Sequence, residues 1–188
     1  MATLSSFRVL VVPGLYNSGP QHWQSRWQRL YPSFERVEQA SWDAPVLEVW
    51  SGSLRQQLLK SEQPTLAIAH SFGCLTTVHG ALNDVPNLAG ALLVAPADPD
   101  KFDVGAAVNG RLPVPAIVVG SLNDPWMESR RARHWAKTWG AEYIDAGALG
   151  HINAESNLGD WLYGQSLLQR LVAMSAERPQ EARPAAAR

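Results

Sequence analysis

A chain of 188 residues with one cysteine, Cys74, can form neither an internal disulfide nor a cysteine-rich zinc site. Charge of one sign is also lacking: 16 basic residues against 17 acidic leave a formal net charge of −1. Without a basic patch, neither nucleic acid nor an anionic membrane is an expected partner. No apolar run is long enough to span a bilayer. The N-terminal MATLSSFRVLVVPG lacks the charged start and apolar stretch of a signal peptide. Histidines and carboxylates nowhere fall at metal-ligand spacing, so no metal and no cofactor are expected. These absences leave a soluble, cytoplasmic chain of one domain. A chain of this length buries roughly 70% of its unfolded surface and needs no staple to fold.

What is present is a rhythm. Short apolar runs at 7–12, 65–69, 88–95 and 115–120 are rich in Val, Ile, Leu and Ala and do not alternate, as strands covered on both faces should not. Two weaker strand candidates lie at 35–41 and 141–146. Between them run stretches of helical character at 20–30, 46–60, 73–83, 127–139 and 158–174. In the second, Val46, Val49, Trp50, Leu54, Leu58 and Leu59 recur at helical spacing. Alternation of this kind predicts an α/β fold, a mostly parallel sheet of about six strands with helices on both faces. The domain is expected to end at 174. The Pro-, Ala- and Arg-rich segment 175–188 is expected to lie outside it.

In such sheets functional groups gather beyond the carboxyl ends of the strands. There the chain offers PGLYNSG, HSFG, PADPD, SLNDPW and GALGHIN. Ser71 lies in Ala69-His70-Ser71-Phe72-Gly73, a near match to the G-x-S-x-G turn that lifts a serine hydroxyl above a sheet. The same stretch also reads as a plain helix N-cap. A serine nucleophile needs a base. Of five histidines, His151 follows the last strand between glycines. His79 and His134 read as helical, and His70 should point to the other side of the turn. Asp124 is the favoured acid to orient His151, with Asp98 and Asp100 as rivals. Backbone N–H groups of Phe72 and Leu15, with Tyr16 as alternate to Leu15, are candidates to stabilise an oxyanion. Tyr16, His22 and Trp126 are candidates to line a substrate pocket, with Trp23 a lesser one. Cys74 and most of the eight tryptophans read as packing, and Arg130, Arg131 and Arg133 as a solvated helix face. The order Ser71, Asp124, His151, each past a strand, is that of α/β-hydrolases.

The blocks VVPGLYNSGPQHW, AHSFGC, VGSLNDPW and GALGHINAESNLGDW resemble the small α/β-hydrolases related to retinoblastoma-binding protein 9 and the bacterial YdeN proteins, over roughly residues 7–172. The resemblance implies a shortened α/β-hydrolase sheet without a cap domain. It also implies a serine hydrolase whose Ser-Asp-His triad maps onto Ser71, Asp124 and His151. A small-molecule acyl substrate is the expected partner. The alternative is an interaction module on the same scaffold, binding a protein, with vestigial catalysis.

Overall fold

The apolar runs pair side by side. A computed structural model describes residues 2–177 and contains β1 (Arg8–Val12), β2 (Glu35–Arg36), β3 (Thr65–Ser71), β4 (Leu88–Pro96), β5 (Ala116–Gly120) and β6 (Glu142–Asp145). They form one sheet in the order β2-β1-β3-β4-β5-β6, and every pairing is parallel. Four helices connect them, α1 (Trp23–Leu30), α2 (Leu47–Leu58), α3 (Phe72–Leu82) and α4 (Ser129–Trp139), and α5 (Leu162–Ala176) follows β6.

Alternation along the strands divides the apolar residues between two cores. Leu10, Val12, Ala67, Ala69, Leu93 and Val118 join Trp50 and Leu54 of α2, Leu75 of α3 and Trp135 of α4. Val9, Val11, Leu66, Ile68, Leu92 and Val119 join Trp23 and Trp27 of α1 and Leu168 and Leu171 of α5. Because both faces are covered, neighbouring residues in the middle of β1, β3, β4 and β5 are apolar and show no polar alternation. The fold is that of a shortened α/β-hydrolase. Two short 3-10 turns, Pro99–Phe102 and Ala106–Val108, fill the connection from β4 to β5, and no cap domain is inserted.

The departures from expectation lie at element ends. The candidate at 35–41 pairs over only two residues, because after Val37 N donates to Val11 O the chain leaves the sheet edge. Helix α1 starts at Trp23 rather than 20, with His22 as its N-cap. Helix α5 starts at Leu162 rather than 158, because Trp161 sits in a left-handed conformation that cannot belong to the helix. It continues to Ala176, two residues into the expected tail; 178–188 lie outside the described residues. Among the described residues no helix is long and apolar enough to cross a membrane.

From β1 the chain runs out to β2, then returns past β1 to β3. The crevice between the ends of β1 and β3 is therefore the switch point where ligands of open parallel sheets bind.

Candidate active site

Ser71 ends β3 and occupies the N-cap position of α3, yet its side chain makes no capping hydrogen bond. Its φ of 54° and ψ of −124° hold it in a conformation uncommon for a residue with a side chain. The N-cap role is thus filled in position but not in chemistry, and the hydroxyl stays uncommitted. Two glycines make the turn possible. A Cβ on Gly73 would run into the carbonyl oxygens of Val12 and Pro13. One on Gly14 would come within 2.7 Å of Ser71 Cβ and 3.2 Å of Phe72 N. The loop after β1 therefore lies directly on the β3 turn.

That contact brings the backbone donors of two loops together. Phe72 N–H, at the first position of α3, has no acceptor within its helix. Leu15 N–H has no acceptor among the described residues. Tyr16 N–H is already given to Trp42 O at 2.8 Å, so of the two alternatives in this loop Leu15 has the free donor. Arg36 staples the loop from below, reaching Asn17 Oδ1 at 2.7 Å and Ser18 O at 3.1 Å.

Across the sheet, His151 Nδ1 lies 3.0 and 2.9 Å from the two carboxylate oxygens of Asp124. Both side chains are largely shielded, 11% exposed for His151 and 2% for Asp124. The rival acids are engaged elsewhere. Both oxygens of Asp98 are held by Arg131 at 2.6 and 2.7 Å, and Asp100 by the same guanidinium at 2.6 Å. Arg131 is thus ion-paired and only partly exposed, whereas Arg130 and Arg133 lie exposed as expected, Arg133 4.6 Å over the Tyr143 ring. The His151 and Asp124 loops are laced by residues that sequence reasoning passed over. Asn123 Oδ1 accepts from Gly150 N at 2.7 Å, and Ser121 Oγ from Leu149 N at 2.9 Å. Their signal was present in Ser121-Leu122-Asn123-Asp124, where only the acid was read.

A cavity of about 680 Å³ joins these parts, with Ser71, His151, Leu15, Tyr16, His22 and Trp126 in its wall. Within it Ser71 Oγ makes no hydrogen bond to the His151 ring; such bonds often tighten only when substrate arrives. Tyr16 and Trp126 are 76% and 60% exposed and stand at the mouth. Trp23 is buried instead, its indole donating to Ile152 O at 2.9 Å. His70 also lines the cavity, which corrects its expected place. It does turn toward the α1 side, against His22 and Trp23, but the loop bearing His151 crosses that side too.

His22 is nearly buried, and that burial, with Arg36 and His151 nearby, lowers its pKa to about 3. Cys74 is packed in the core with Sγ 3.4 Å from Val94 O, and burial pushes its thiol well above the ordinary range. His79 pairs with Ser51 Oγ at 2.8 Å on the far side of α3. Among the described residues no group of three His, Cys, Asp or Glu side chains is arranged to hold a metal ion.

Comparison with known proteins agrees with this architecture. A family model described as "Serine hydrolase" matches residues 9–170, and the chain belongs to that family. It is a hydrolase of the α/β type. A protein from Pectobacterium atrosepticum described as a YdeN-like hydrolase is 39% identical, over 92% of each chain, with a TM-score of 0.85. The YdeN protein of B. subtilis is 18% identical over 89% of this chain and 99% of its own, with a TM-score of 0.73. Est1E from Butyrivibrio proteoclasticus, solved with ferulic acid, shares the fold at 10% identity and a TM-score of 0.69, covering 90% and 89%. A search of curated proteins finds no match.

Proposed function

We propose that the chain hydrolyses a small ester or a related acyl compound through a covalent acyl-serine intermediate. Ser71 Oγ attacks the carbonyl carbon while His151 Nε2 takes its proton. Asp124 holds the other ring nitrogen, fixing the tautomer and balancing the imidazolium that forms. The negative charge that develops on the carbonyl oxygen is met by Leu15 N–H and Phe72 N–H, donors whose removal costs roughly 3 kcal/mol each in comparable sites. Collapse of the adduct expels the alcohol, which leaves with the proton from His151. Water then repeats the sequence on the acyl-serine, releasing the acid and restoring Ser71.

One observation carries this reading: Ser71 is strained, uncapped and in one cavity with a histidine whose second nitrogen faces a shielded carboxylate. The open mouth, with no cap domain over it, favours short or peripheral acyl groups over long buried chains. The test is a fluorophosphonate probe together with short-chain nitrophenyl esters. Labelling at Ser71, and its loss with turnover in Ser71→Ala, is the expected result. An adduct at another residue, or equal labelling of Ser71→Ala, would overturn it. A folded wild-type chain inert to every probe would favour a binding scaffold instead. Activity should also survive EDTA, since the reaction as written recruits no metal.

A further inference from the structure

Two successive carbonyls on the loop bearing His151 are each engaged by a ring nitrogen from far away in the sequence. His70 Nε2 lies 2.8 Å from His151 O, and Trp23 Nε1 donates to Ile152 O at 2.9 Å. The backbone they hold would not rest there unaided. Ile152 has a φ of 46°, a conformation that a β-branched residue adopts only when its surroundings impose it.

The direction of the His70 bond follows from chemistry. His70 is buried beside His22 and His151, and that burial holds its imidazole well below the ordinary pKa. A neutral imidazole carries one hydrogen, and a carbonyl only accepts. The hydrogen is therefore on Nε2, and His70 donates. The His70 and His151 rings meet edge to face at 4.8 Å, and His22 packs against His70 at 4.6 Å, closing off any retreat.

We infer that His70 is a positioning residue: by holding the His151 carbonyl, its Nε2–H fixes the main chain from which the His151 ring is presented to Asp124 and Ser71. The inference rests on the hydrolase reading above. It gives one turn of chain two duties, since the residue before Ser71 anchors the loop that supplies its base. If the elbow shifts, the base shifts with it, and their spacing is kept. A misplacement of about 1 Å between reacting groups costs on the order of 100-fold in rate.

The test compares His70→Gln, whose amide nitrogen reaches the Nε2 position, with His70→Met, of similar length but without a donor. Three readouts apply: kcat and KM on a nitrophenyl ester, the fluorophosphonate labelling rate, and the downfield proton of His151 Nδ1 against Asp124 by NMR. His70→Met should lower kcat on the order of 100-fold with KM within about threefold, slow labelling equally and lose the downfield signal. His70→Gln should restore kcat to within about fivefold of wild type and recover the signal. A folded His70→Met with full kcat and an intact signal overturns the inference and leaves the hydrolase reading standing. Equal loss in both variants also overturns it, because the donor would then not be what matters. If wild type neither turns over nor labels, the hydrolase reading falls and the NMR signal alone decides the anchor. Its persistence in His70→Met rejects the anchor, and its loss there with recovery in His70→Gln upholds it. Should His70→Met not fold, His70→Asn replaces it, because its shorter amide cannot reach the carbonyl.

Discussion

Asp98 and Asp124 each follow a strand, and only their partners tell them apart. Asp124 faces His151, whereas Asp98 is neutralised by Arg131. Asp124→Asn should therefore keep the fold and lower kcat on the order of 10⁴-fold, as expected when an imidazole is left in the wrong tautomer. Asp98→Asn should leave kcat within about tenfold yet lower stability by about 2 kcal/mol, the worth of a hydrogen bond to a charged group. Steady-state rates with urea unfolding of both variants check this, and a crippled Asp98→Asn beside a healthy Asp124→Asn would reverse the assignment. At the mouth, Trp126→Ala should raise KM several-fold with kcat little changed, since an exposed ring can contribute only to binding. That Ser71, Asp124 and His151 border one region was legible because each lies at or beyond the carboxyl end of a strand in a sheet whose layout the sequence implies. His70, Asn123 and Arg36 were not read in their roles. The value of a polar side chain lies in its partner, and His70 and His151 O are 81 positions apart.

The four central strands were legible as elements because both faces are covered and their apolar runs are continuous; β2 was legible only as a weak candidate at 35–41 and its extent was not, since two edge residues carry no pattern. Helix ends were blurred where a cap decides them, as at His22 and Trp161. The contact between the loop after β1 and the start of α3 is the junction on which the chemistry depends. Gly14→Ala would force the two apart at Ser71 Cβ, and turnover should fall on the order of 100-fold. Gly52, on α2, has nothing within 4 Å of where its Cβ would lie. Gly52→Ala should keep full activity and add about 0.5–1 kcal/mol of stability through helix propensity. Rates and thermal midpoints of the pair decide the matter. Equal activity in both would mean that the junction tolerates displacement and that the close approach is incidental.

For the molecule as a whole, the enclosed histidines make stability depend on acid. His22 falls from the ordinary 6.5 to about 3, and His70 lies well below its ordinary value, in both cases chiefly through burial. The unfolded chain takes up these two protons below about pH 6.5, while the folded chain refuses them. Stability is therefore complete above that pH and drains as pH falls below it, by about 1.4 kcal/mol per pH unit for each of the two, for His22 until about pH 3. Asp98 and Glu35, held below their ordinary values of 3.8 and 4.5, lose their contributions only at lower pH. Between about pH 6 and 5 the slope belongs to the histidines, and His22→Gln should halve it in urea titrations. A slope unchanged by that substitution would remove His22 from the account. The bond from Trp23 to Ile152 O spans 129 positions, most of the stretch between the first and last elements. A chain emerging N-terminus first completes the Ser71 turn well before it brings His151 out to meet it. Until the loop after β6 docks, Ser71 lacks the base proposed for it. On the mechanism proposed above the chain thus stays silent until its last loop has emerged, and a nascent chain cut short of His151 carries Ser71 without a means to fire it.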